Sequence, residues 1–114
     1  MITIKDLPTS RVKNSEQGWV STIGYKSYGP RTLYLCSKEF GNAGGKEAAF
    51  HMSAYRSGLK ELMGFLRDKQ IPVLNISYDL DSFTNGDMCF CGIYIFLGED
   101  VPVEVQTPPK PVEF

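Results

Sequence analysis

Apolar and polar positions change period along this 114-residue chain, and each change marks an element. From Trp19 the period is two. Trp19, Ser21, Ile23 and Tyr25 share one face of an expected strand, and Val20, Thr22, Gly24 and Lys26 share the other. Ser27-Tyr28-Gly29-Pro30 reads as a turn. Residues 31–36 then form a second strand, with Leu33 and Leu35 on one face and Thr32, Tyr34 and Cys36 on the opposite one, which predicts an antiparallel hairpin. Upstream, Arg11-Val12-Lys13 starts a short strand before a polar turn at 14–18. Ile2 and Ile4 alternate in a candidate edge strand that Leu7-Pro8 ends.

The period then becomes helical. After the glycine-rich break at 41–45, Ala48, Met52, Tyr55, Leu59, Leu62 and Leu66 recur at spacings of three and four, which predicts a helix from Lys46 to about Leu66. Gly58 and Gly64 each cost about 1 kcal/mol relative to alanine, so packing must hold this helix, and Gly58 marks a close approach to a strand. Arg67 and Lys69 suit the negative helix end, and Pro72 forbids continuation. Residues 73–78 and 88–97 read as two further strands. The turn-rich 79–87 lies between them and contains Asn85-Gly86. The 88–97 run carries β-formers on both faces, as a central or interface strand does. The expected fold is α+β: an antiparallel sheet, three-stranded in its N-terminal part with a C-terminal hairpin added, packed on one long α-helix. Residues 1–100 form one domain, with a core at 11–66 and a hairpin at 73–97; residues 101–114 hold four of the seven prolines and read as an extended tail.

Composition narrows the class. An apolar content of 42% argues against a disordered chain. No apolar run approaches the roughly 18 residues of a membrane span, so no membrane partner is expected. Three cysteines, an odd number, do not make a disulfide framework, and a reducing, cytoplasmic compartment is the simpler reading. The net charge of −1 hides a segregation: residues 1–69 carry 11 Lys/Arg against 6 Asp/Glu, and residues 70–114 carry 1 against 7. That asymmetry suits a polyanion-binding surface joined to an acidic segment, although charge on a small domain also clusters by chance.

Certain residues form a recognisable series: Arg11-Val12, Gly18-Trp19, Ile23, Leu35, Phe40-Gly41, Gly44-Gly45-Lys46-Glu47-Ala48-Ala49 and Ala54-Tyr55-Arg56. Over about residues 11–66 the chain resembles the three-stranded-sheet-plus-helix DNA-binding domain of plant ethylene-response factors. Relatives of that domain occur in phage homing endonucleases and as the arm-binding domain of tyrosine integrases. The resemblance implies a small non-enzymatic protein, phage or mobile-element encoded, that lays the outer face of its N-terminal sheet into the major groove of duplex DNA. The residues it assigns to DNA are Thr22, Lys26, Thr32 and Tyr34 on that face, with Arg11, Lys13, Arg31 and Lys38 near its edges. Gly24 stands where the family often has a basic residue, and the 45 residues after the helix have no place in the minimal domain.

Other chemistry is weaker. Cys36, Cys89, Cys91 and His51 have the ligand types of a zinc site, but Cys-x-Cys is not the usual paired spacing, so buried cysteines and a helix-surface histidine are the expectation. Asp79, Asp81 and Asp87 lack the later glutamate of a calcium loop. No metal, cofactor or catalytic group is expected from these patterns. The alternative function is a protein-interaction module, an inhibitor or adaptor without nucleic acid, which pairs with a partner or itself through the apolar strand 88–97 and the tail.

Overall fold

A computed structural model describes residues 6–41, 43–82 and 88–101. The candidate strand around Ile2 and Ile4, the Asn85-Gly86 turn and the proline-rich tail fall largely or wholly outside those residues. The described chain is α+β, in the order β1 (Ser10–Asn14), β2 (Trp19–Gly29), β3 (Thr32–Ser37), α1 (Gly45–Asp68), β4 (Val73–Ser82) and β5 (Met88–Leu97). The strands form one antiparallel sheet in the order β1-β2-β3-β5-β4. The C-terminal hairpin therefore widens the sheet beside β3 and does not cover its outer face. The 88–97 run is central, as its two apolar faces imply.

The helix lies across β2, β3 and β5 on one side of the sheet. Between them sit Ile23, Leu33, Leu35, Tyr55, Leu62, Leu66, Ile93 and Ile95, all almost fully buried. Each such aliphatic side chain contributes about 1.5–3 kcal/mol through burial. Gly58 lets helix and sheet close up: a Cβ there would stand 3.0 Å from Ile23 Cγ2. The helix ends where Gln70 turns left-handed at φ 61°, with Ile71 N–H donating to Leu66 O and Gln70 N–H to Arg67 O. Pro72 follows, and β4 begins.

Three local expectations change. Ser27 and Tyr28 belong to β2, which runs to Gly29 with an irregular register between Ser27 and Gly29. A bulge absorbs the extra residue, so the strand continues past the expected turn. Asp79 to Ser82 likewise continue β4, because Cys91 is an extra residue in β5 and lets Leu80 pair with Phe90 and Asp81 with Cys89. His51, expected on the helix surface, is fully buried. The helical spacing already admitted it: 48, 51, 55, 58 and 62 is as regular a stripe as one drawn through Met52.

Candidate binding face of the sheet

Paired residues in an antiparallel sheet share a face, so the register assigns the side chains away from the helix. One row is Gly24, Cys36, Gly92 and Asp79; the next is Lys26, Tyr34, Tyr94 and Ser77; beyond it stand Thr32, Phe96 and Asn75. The first row is nearly bare of side chains at its glycines, and Tyr34 leans into that space. A Cβ at Gly92 would collide with the Tyr34 ring and hydroxyl. The hydroxyl donates to Asp79 Oδ2 at 2.8 Å. Burial first, and then this bond, raise the phenol's pKa, so it stays protonated. Cys36 beneath is pushed up to about 11, chiefly by burial and against the pull of Lys26, and remains a thiol at neutral pH.

Tyr34 is the middle of an aromatic cluster that spans three strands. Its ring centroid is 4.6 Å from Tyr94 and 5.4 Å from Tyr28, and Tyr28 lies 5.6 Å from Tyr94. The bulge in β2 sets Tyr28 beside the others, and Tyr28 is 56% exposed. Tyr94 and Phe96 are half-buried, so the cluster presents ring surface to solvent next to the exposed Lys26. Tyr28, Tyr94, Phe96 and Asp79 were not singled out from sequence as binding residues. For Tyr94 and Phe96 the signal is the alternation of the 88–97 run, whose even positions there face away from the helix once β5 sits beside β3; Tyr28 and Asp79 carry no such signal.

The residues expected to contact DNA are partly assembled. Arg11 pairs with Thr22 and Lys13 with Val20, which places both cations on the outer face at the β1 edge; Lys38 follows β3 and is exposed. Thr22, Lys26, Thr32 and Tyr34 take the outer face as expected. Arg31 does not join them, because its Nε binds Asp100 Oδ1 at 2.9 Å beside the β2–β3 turn. Thr22 is already engaged: its N–H and hydroxyl donate to the two oxygens of Glu39, at 2.6 and 2.8 Å. Burial disfavours the Glu39 charge, yet these bonds and nearby Arg11 outweigh it and hold the carboxyl below its usual range. The edge expected to pair with a partner also moves. β5 is hydrogen-bonded on both sides, to β3 and to β4, so residues 88–97 present no free strand edge. The sheet's outermost strands are β1 and β4.

A second polar cluster lies on the helix side. His51 Nδ1 and Ser21 Oγ share a hydrogen bond of 2.8 Å, Ser21 and Ser37 share another of 2.8 Å, and His51 Nε2 stands 3.7 Å from Glu47. These are the atoms of a hydrolytic dyad, but Ser21 and His51 are fully buried and no substrate reaches the hydroxyl. The cluster ties α1 to β2 and β3. The Tyr55 hydroxyl adds to it, accepting from Ser37 N–H and donating to Cys91 O where the β5 bulge interrupts the ladder. The zinc ligand types do not gather: among the described residues no group of three or more His, Cys, Asp or Glu side chains is placed to hold a metal ion. None of the three cysteines is in a disulfide. No described helix is long and apolar enough to cross a membrane. Comparison with protein-family models, with curated proteins and with solved structures finds no match.

Proposed function

We propose that the protein is a non-enzymatic nucleic-acid-binding protein that uses the outer face of its sheet, and that it prefers single strands to duplex DNA. The observation that carries this reading is the cluster of exposed Tyr28 and half-buried Tyr94 around the buried Tyr34, beside the exposed Lys26. Aromatic rings on an open sheet stack unpaired bases whatever their sequence, at about 1–3 kcal/mol per base, while Arg11, Lys13 and Lys38 attract phosphate. Width argues against the groove insertion that the family resemblance implies. Five strands about 4.8 Å apart set the outer strand axes about 19 Å apart, whereas the major groove is about 12 Å wide. The cations and rings are also spread over several strands, Arg11 and Lys13 on β1, Lys26 and Tyr28 on β2, Tyr34 on β3 and Tyr94 on β5, which suits an extended strand crossing the sheet better than a bidentate base contact.

The test is fluorescence anisotropy with labelled single-stranded DNA, single-stranded RNA and duplex DNA, from about 50 to 200 mM salt. Single strands are expected to bind more tightly than duplex, with affinity falling steeply as salt rises and about tenfold in Tyr94→Ala or Lys26→Ala. Absence of single-strand binding at low salt, or duplex binding indifferent to Tyr94→Ala, overturns the reading. A second reading, protein interaction, is favoured by the apolar side chains exposed on β4.

A further inference from the structure

The two edges of the sheet are built differently. β1 is five residues long and carries Arg11 and Lys13, charges that discourage another strand from adding to it. β4 is ten residues long and holds neither lysine nor proline, and it exposes Leu74 (68%), Tyr78 (51%) and Leu80 (59%). It lies at the margin of the sheet, outside the main footprint of α1. Ile76, Tyr78 and Leu80 point to the helix side, since they pair with Ile95, Ile93 and Phe90, and Phe90 packs on Tyr55. A long edge with an apolar helix-side face, free of lysine and proline and without cover among the described residues, is a template for strand pairing.

The sequence of β4 selects the occupant. We propose that a second copy of this chain pairs with it, β4 against β4 in antiparallel fashion, about a two-fold axis through Ser77 perpendicular to the sheet. In that register Ile76 of each copy lies opposite Tyr78 of the other, so these apolar side chains meet on the helix side with Leu80 beside them, and the irregularity at Leu74 ends the regular stretch. On the outer face Asn75 lies opposite Asp79, an amide against a carboxylate, and Ser77 opposite Ser77. Shifting the axis to Asp79 sets carboxylate against carboxylate, Asp79 on Asp79, which is unfavourable. Shifting it by half a residue throws the apolar set of one copy onto the polar set of the other. The pairing joins two five-stranded sheets into one of ten strands, with both helices on one side and both tyrosine clusters on the other.

Sedimentation equilibrium of the full chain from about 1 to 100 μM tests this. A species of twice the 12.8 kDa chain mass is expected, with association weakened about tenfold or more, towards monomer, by Tyr78→Lys and by Leu80→Lys. Both side chains are exposed, so each variant should keep the circular dichroism spectrum of the parent. Mild oxidation of Ser77→Cys should give a disulfide-linked dimer, whereas Asn75→Cys, whose two copies stand about 14 Å apart in this register, should not. A monomer at every concentration overturns the proposal and leaves the edge to a strand of another protein. A dimer indifferent to both lysine variants, or cross-linked as readily through Asn75→Cys, overturns it as well.

Discussion

Single side chains decide what this fold tolerates, and His51 is the clearest case. It is sealed between Ser21, Ser37, Phe40 and Glu47, and burial keeps its pKa below the ordinary value of 6.5 although Glu47 and Glu39 pull the other way. As pH falls through about 6.5 the unfolded chain therefore takes up a proton before the folded one does. Stability is intact above that pH and declines below it, by at most about 1.4 kcal/mol per pH unit for one proton. The melting temperature should fall between pH 7.5 and 5.5, and His51→Asn should start lower but lose this slope. A parent protein whose melting temperature is flat or rises over that interval would contradict the neutral, buried state. Glu39 works at lower pH with the same sign: its carboxyl is held charged by Thr22, so acid below the ordinary carboxyl range removes that contribution too. Sequence placed His51 on the helix surface, because a polar residue at a helical spacing is understood as buried only when its partners on other strands are known.

Helix α1 shows what sequence periodicity reaches and where it stops. Its bounds, Gly45–Asp68, lie within two residues of those its spacing predicts, because three- and four-residue recurrence is a local property. Its two interior glycines look alike in sequence and differ in space. A Cβ at Gly58 would press on Ile23 at 3.0 Å, whereas one at Gly64 meets only Arg67 Nη2, at 3.9 Å. Gly58→Val should therefore destabilise the protein by about 1–3 kcal/mol through overpacking. Gly64→Ala should stabilise it by up to about 1 kcal/mol through helix propensity alone. Thermal or urea unfolding checks both; equal shifts of the same sign would refute the packing assigned to Gly58. The strands were legible in the same local way, from Trp19 to Tyr25 and from Val73 to Tyr78. Their order was not. Nothing local to β5 says that it enters between β3 and β4, and only that placement sets Tyr94 beside Tyr34 and Gly92 beneath it.

On the scale of the whole molecule, the sheet order turns a charge asymmetry along the chain into one across a surface. Arg11 and Lys13 stand at the β1 edge, and Asp79 stands on β4 at the far side, with Lys26 and the tyrosine cluster between them. The sequence shows the two charged halves but not that they share one face, since that depends on pairing between residues 60 positions apart, Tyr34 with Tyr94. A strand of nucleic acid crossing this face is drawn to the β1 side and repelled near β4, and Asp79 is the repelling group closest to the rings. Asn in its place keeps an acceptor for the Tyr34 hydroxyl and removes the charge, so the platform should persist. Asp79→Asn is therefore expected to tighten single-strand binding about two- to fivefold at about 50 mM salt, and less at about 200 mM, where screening shortens the reach of a surface charge to roughly 8 Å. Arg11→Glu should act in the opposite direction with the same salt dependence. Anisotropy titrations of the two variants beside the parent make the comparison. Weaker binding by Asp79→Asn would mean that the carboxylate serves the ligand through Tyr34, and the electrostatic account of this face would fail.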